Sequence, residues 1–172
     1  VDRLPVLLLP GDVFANRGPD PVLQQVESFS DGTVSANDVF RPVSRYFDRI
    51  TRPEQIVSAL NRAMRVLTDP AECGPVTLAL CQDVQAEAFD YPESMFTERV
   101  WARRRPAPDR DELSAAIKVL KAAKKPVIIA GGGVLYAEAA ETLKAFAEKH
   151  GVPVMETNAA KSSLPHVHPL NM

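Results

Sequence analysis

The stretch PVIIAGGGVLYAEAAETLKAFAEKHGVPVMET, residues 126–157, decides the fold class. A short apolar run, three glycines, an amphipathic segment ending at His150-Gly151 and a second apolar run read as strand, turn, helix and strand. Two strands joined through a helix pair in parallel, which places this part of the chain in the α/β class. Gly131, Gly132 and Gly133 stand where dinucleotide-binding folds approach a pyrophosphate. The full fingerprint, G-x-G-x-x-G, needs a third glycine for close helix–strand packing, and Tyr136 occupies that place. Glu156, at the end of the second strand, offers a carboxylate to a ribose hydroxyl, so half the pattern survives. A tight strand-to-helix turn that needs positive φ at glycine is the simpler reading.

The same alternation extends toward the N-terminus. PVLLLP (5–10) and GPVTLALCQDV (74–84) are continuous apolar runs, the pattern of strands buried on both faces. DPVLQQVES (20–28) suits a short helix capped by Asp20 with Pro21 in its first turn. RPVSRYFDRI (41–50) reads as extended. Thr51 and Glu54 make a capping box for a helix carrying Ile56, Leu60, Ala63 and Leu67, which stops at Asp69-Pro70. A second capping box, Asp109 and Glu112, opens a helix with Leu113, Ile117 and Leu120 as its apolar stripe. Lys121, Lys124 and Lys125 follow at the end favoured by the helix dipole. Between Phe89 and Pro108 no period of 2 or 3.6 persists, and the prolines, scattered aromatics and Arg103–Arg105 read as a solvated linker. The expected organisation is therefore 1–88, a linker 89–108, and 109–172, each folded part α/β with a parallel sheet flanked by helices.

Composition narrows the function. Hydrophobic residues are 45% of 172, charged residues 24%, and the net charge is −2, so neither a nucleic acid nor an anionic membrane is an expected partner. No apolar run approaches the roughly 20 residues of a membrane span. Cys73 and Cys81 have no metal or redox spacing, and the reducing cytoplasm is the expected location. His166 and His168 lie among prolines in a loop and lack further ligands, so no metal site is expected. Neither a G-x-S-x-G elbow nor a Walker loop is present. Beginning at Val1 without methionine and ending at HPLNM, the chain reads as an internal piece of a longer protein.

RLPVLLLPGDVFANRGPDPVLQQVE, NDVFRPVSRYFDRITRPEQ and GPVTLALCQDVQAEAFDYPE, taken together, resemble thiamine-diphosphate enzymes of the acetolactate-synthase type. KPVIIAGGGVLYAEA and GVPVMETNAAKSSLPHVHPLN are similar to the central domain of the same family. The resemblance runs through the whole chain in order and is strongest to the branch that hydrolyses a cyclic 1,2-dione in inositol breakdown. Cys81 departs from it, standing where relatives usually carry proline. The resemblance implies that residues 1–88 are the second half of a pyrimidine-binding domain and 109–172 the first half of a Rossmann-like central domain. It implies thiamine diphosphate and Mg2+ in the parent protein, and a dimer or tetramer. It places the catalytic glutamate before Val1 and the GDG-asparagine motif after Met172, so no catalytic residue is expected in this chain and the fragment alone is expected to be inactive.

At the periphery of the active site, the family segment G-T-D-A-F-Q aligns with G-P-D-P-V-L-Q here and gives Gln24 a place at the mouth, with Gln25 the alternative. Gly11 and Asp12, in a loop leaving the C-terminal end of a parallel strand, are further candidates. Arg45 aligns with a lysine of relatives and is otherwise a salt-bridge residue. Because the family's central domain holds FAD or ADP in some members and nothing in others, the incomplete glycine fingerprint reads as scaffold, with FAD and NAD not expected. The alternatives are another family member, such as an acetolactate synthase or a sulfoacetaldehyde acetyltransferase, and a non-catalytic nucleotide-binding domain.

Overall fold

The structure, a computed structural model, describes residues 3–16, 18 and 30–172. The helix expected at 20–28, with Gln24 and Gln25, lies outside the described residues. The chain divides into two compact units, Val1–Arg104 and Arg105–Met172. Both are α/β with parallel strands, as the alternation of runs requires.

In the first unit, β4 (Val76–Cys81) is the middle strand of a parallel sheet. On one side it pairs with β3 (Tyr46–Ile50), in register from Tyr46 beside Val76 to Ile50 beside Leu80. On the other it pairs with β1 (Leu7–Leu8) at its start and β2 (Gly11–Asp12) at its end. Residues 7–12 are therefore one broken edge, interrupted at Leu9-Pro10. The expected burial on both faces holds for β4 alone. Val6, Leu7 and Leu9 are exposed, because among the described residues β1 has a strand on one side only.

The crossover from β3 to β4 is α1 (Gln55–Thr68). It lays Ala59 and Ala63 on the sheet, with Ile56, Val66 and Leu67 packed around Ile50, Val76 and Leu78. Two alanines at the contact let the helix axis approach closely; Leu60 instead lines a shallow hollow shared with Met95 and Trp101. The expected capping box is displaced by one residue. Glu54 is already helical in φ and ψ, and the Gln55 side-chain oxygen accepts from the Thr51 N–H at 2.7 Å and the Arg52 N–H at 3.2 Å. RPVSRYFDRI is extended only from Tyr46, since a 3-10 segment occupies Ala36–Val43. Residues 89–104 belong to the first unit. The Arg99 guanidinium donates to the Asn61 Oδ1 at 2.6 Å, and Arg104 pairs with Asp69 at 2.9 Å.

In the second unit, β5 (Ile128–Ala130) and β6 (Val154–Glu156) pair in parallel, and Asn171 bridges to Val154 on the far side. The core is Ala130, Ala147, Val154, Ala160 and Leu164. The single helix expected after the glycines is two: α3 (Gly133–Tyr136) and α4 (Ala140–His150), separated where Glu138 takes φ +53. Gly151 ends α4 at φ +62, the left-handed cap that His150-Gly151 announces. Preceding β5, α2 (Arg110–Ala122) is capped by the Asp109 carboxylate, which accepts from the N–H groups of Asp111 and Glu112. Every residue of α2 is exposed, its Leu113–Ile117–Leu120 stripe included.

Candidate functional site

Ligands of parallel α/β sheets sit beyond the carboxyl ends of the strands. In the first unit that edge is formed by Asp12 on β2, Cys81 at the end of β4 with Gln82 and Asp83 after it, and Ile50 on β3. Its organising group is Arg49. The Nε atom donates to Asp12 Oδ2 at 2.6 Å, and Nη2 donates to Ser35 Oγ at 2.7 Å and Asp38 Oδ1 at 3.1 Å. Nη1 reaches the carbonyl oxygen of Thr33 at 3.3 Å. Asp12 is fully buried, and its other oxygen accepts from the Val13 N–H at 2.8 Å. The Ser35 N–H donates to Asp38 Oδ2 at 2.8 Å, closing a capping interaction at the start of the 3-10 segment. Burial alone would raise the Asp38 carboxyl. Hydrogen bonds from the Ser35 backbone, Arg41 and Arg49 outweigh it and hold the group below the usual carboxylate range.

A second carboxylate ties down the chain just after β2. Asp83 accepts from the N–H groups of Ala15 at 2.8 Å, Asn16 at 2.7 Å and Val84 at 3.0 Å. Burial is the largest single influence and raises this carboxyl, but the backbone donors together outweigh it and lower the group. A depressed carboxyl contributes stability that is present above the unfolded value and lost as the pH falls through the folded one. Between neutral pH and about pH 5 the Asp83 and Asp38 contributions are therefore complete, and they fade below about pH 4, the unperturbed aspartate range. Asp83→Asn is expected to lower stability at pH 7 by about 1 kcal/mol, the scale of one hydrogen bond, because the amide keeps only one of the two oxygens that accept from Ala15, Asn16 and Val84, and to weaken the loss on acidification. Melting curves from pH 7 to pH 3 check this. An acid limb as steep in the variant as in the parent would contradict it.

Gly11 and Asp12 come together at this edge, and the Asn37 side-chain amide donates to the Gly11 carbonyl at 2.7 Å. Asp12 offers no free carboxylate, since Arg49 and Val13 use both its oxygens. Arg45 is elsewhere. It precedes β3 at the amino end of the sheet, where its side chain lies over Gly74 and its guanidinium stands 3.5 Å from Glu72. Burial, then the Asp12 and Asp83 carboxylates, push the Cys81 thiol up to about 11, so it stays protonated and unreactive at neutral pH. Beside it, a hollow of about 160 Å³ opens between Ile50, Pro53, Val84, Gln85 and Tyr91.

In the second unit the glycine turn departs from expectation in one respect. Gly131, Gly132 and Gly133 all have negative φ. What needs glycine is space: a Cβ on Gly132 would stand 3.3 Å from both the Cβ and the carbonyl oxygen of Ala159. Glu156 is not held out for a ribose, because its Oε1 accepts from the buried Leu164 N–H at 2.7 Å. His168 is likewise engaged, its Nε2 lying 3.0 Å from Glu148 and its Nδ1 accepting from the Leu170 N–H at 3.2 Å. Among the described residues no group of three or more His, Cys, Asp and Glu side chains could hold a metal ion, and no helix is long and apolar enough to cross a membrane.

Arg49, Ser35, Asp38 and Asp83 were not marked by sequence reasoning. The available signals were Ser35-x-x-Asp38, a capping pattern, and an arginine inside the strand YFDRI, where a charge facing the interior needs a partner.

Residues 113–172 match the family model of the thiamine pyrophosphate enzyme central domain. Over 99% of its length the chain is 53% identical to a 3D-(3,5/4)-trihydroxycyclohexane-1,2-dione hydrolase of Geobacillus thermodenitrificans, and 55% identical to one of Bacillus cereus. Over 100% of its length it is 53% identical to one of Clostridium perfringens. The chain spans 27% of the length of each of these relatives. These matches bear out the resemblance to thiamine-diphosphate enzymes read from the sequence.

Proposed function

We propose that the chain is a segment of a thiamine-diphosphate enzyme that opens a cyclic 1,2-dione by hydrolysing a carbon–carbon bond, the substrate being trihydroxycyclohexane-1,2-dione and the product a 5-deoxy-hexuronic acid. The observation that carries this reading is the 53–55% identity, held over 99–100% of the chain, to hydrolases of that name. When bound, thiamine diphosphate supplies an electron sink for the carbon–carbon cleavage. The described residues do not fit as its holders. The two most engaged carboxylates at the sheet edge, Asp12 and Asp83, are consumed by internal hydrogen bonds, and no metal-ligating cluster is present among those residues. What this segment contributes is the shape of the edge: Arg49 and Asp83 fasten the loops there in one arrangement, the pre-organisation on which substrate orientation depends.

The same proposal takes residues 1–88 as half of the pyrimidine-binding domain and 109–172 as half of the central domain. The matched span, which starts at Leu113, supports the second boundary. Mg2+, a homo-oligomeric parent, a cytoplasmic location and a place for Gln24 or Gln25 at the active-site mouth belong to it as well. The glycine turn is scaffold in this reading, because Gly132 is filled against Ala159 and Glu156 is engaged.

The test compares two proteins. The full-length enzyme, with thiamine diphosphate and Mg2+, is expected to open the cyclic dione, while the 172-residue chain alone gives no turnover above buffer. Titration of the full-length enzyme with NAD, FAD or ADP is expected to show no binding tighter than about millimolar, since the fingerprint glycine is missing. Condensation of pyruvate in place of ring opening would move the protein to the acetolactate synthases. A micromolar nucleotide would overturn the scaffold reading.

A further inference from the structure

We propose that Arg49 is a positioning residue for ring opening, a clasp that fastens the carboxyl end of β2 to the segment Thr33–Asp38 and so sets the shape of the sheet edge against which the dione is held. The inference rests on the functional reading above. Its ground is geometric. Asp12 and Arg49 belong to strands that are not neighbours, because β4 lies between β2 and β3. Two strand spacings amount to about 10 Å, and the contact is also staggered, Asp12 standing beside Cys81 and Arg49 beside Ala79. A long side chain is required, and it must reach two chain segments at once. The guanidinium does so: Nε takes Asp12 on one side, and Nη1 and Nη2 take Thr33, Ser35 and Asp38 on the other. A planar fork with five donors can divide itself in this way, whereas a lysine ammonium gathers its acceptors around one point.

A second strap runs between the same two segments, from the buried Asn37 amide to the Gly11 carbonyl. Stability alone does not explain such an arrangement, since a buried ion pair is often no better than apolar residues of equal volume. What it provides is a fixed relation between two backbone segments at the edge where α/β sheets hold their ligands.

Arg49→Lys in the full-length enzyme tests the clasp, because it keeps the charge and loses the fork. Hydrogen exchange of amides in 11–16 and 33–38 is expected to accelerate about tenfold or more, as local opening becomes easier. kcat/KM for the dione is expected to fall roughly 100-fold, the scale of a misplaced binding contact. Thiamine diphosphate affinity should stay within about threefold and the melting temperature within a few degrees, because the retained charge still pairs with the buried Asp12 and the cofactor's holders are not touched. Unchanged exchange overturns the clasp. Faster exchange with kcat/KM unaltered overturns the positioning role. Parallel loss of activity, cofactor affinity and melting temperature reduces Arg49 to a structural residue and also overturns it. If Arg49→Lys does not fold, Asp38→Asn cuts the far side of the clasp and is read in the same way. Should the parent enzyme fail to open the dione, the functional reading falls, and exchange alone decides the clasp: acceleration keeps it and unchanged rates end it.

Discussion

Asp12→Ala is expected to cost the first unit about 3–5 kcal/mol, the range for breaking a buried ion pair from one side. Asp12 is fully buried, and the Arg49 side chain is only 17% exposed. Removing the carboxylate leaves a guanidinium that cannot shed its proton and cannot be fully rehydrated without opening the sheet edge. Ser35 and Asp38 retain part of its hydrogen bonding, which argues for the lower half of the range. The Arg104–Asp69 pair makes the contrast. Arg104 is 81% exposed, so Arg104→Ala should change stability by less than about 1 kcal/mol. Exchange of the β4 amides reads both. About 3 kcal/mol corresponds to a rate increase on the order of 10² if those amides exchange through opening of the unit. An increase below about fivefold for Asp12→Ala would mean that water reaches Arg49 freely, and would remove the physical basis of the clasp.

The elements were legible where local chemistry and tertiary packing agree. GPVTLALC is apolar apart from Thr77 because β4 is the buried middle strand, and Asp69-Pro70 ends α1 because the residue before proline avoids the helical region. Elsewhere the chain departs from what local propensity suggests. AEAAETL is built from strong helix formers, yet the chain turns at Glu138 and starts α4 afresh at Ala140. At the glycine turn the expected positive φ is absent, and the one close approach is that of Ala159 to Gly132, 27 residues apart in sequence. The Arg49 cluster was invisible for the same cause. Its contact with Asp12 spans 37 positions, and nothing local to either residue names the other. Gly11 and Asp12 follow from a rule of topology, their place after a strand, and lie at the carboxyl edge of the sheet, whereas Arg45 rests on alignment and lies at the opposite end.

The 172-residue chain in isolation is expected to self-associate at micromolar concentration. In the second unit Ile129 is 69% exposed at the centre of β5, and Leu113, Ile117 and Leu120 form an uncovered stripe on α2, a helix without a single buried residue. In the first unit Leu4, Val6 and Leu9 are exposed along an edge that carries a strand on one side only among the described residues. Apolar stripes of this kind are the core-facing surfaces of helices and strands, and open edges recruit further chains. Burying a large aliphatic side chain is worth about 1.5–3 kcal/mol, so even half-burial of four or five of them gives several kcal/mol. That is comparable with the whole stability of a domain, roughly 5–15 kcal/mol. Sedimentation equilibrium should therefore show species heavier than the 18.8 kDa monomer. Introducing Ile117→Lys and Ile129→Lys together should weaken association by about 100-fold or more, equivalent to roughly 2.7 kcal/mol. A compact, cooperatively melting monomer at micromolar concentration would show that these surfaces are not core faces, and that the half-domain boundaries proposed at 88 and 109 are misplaced.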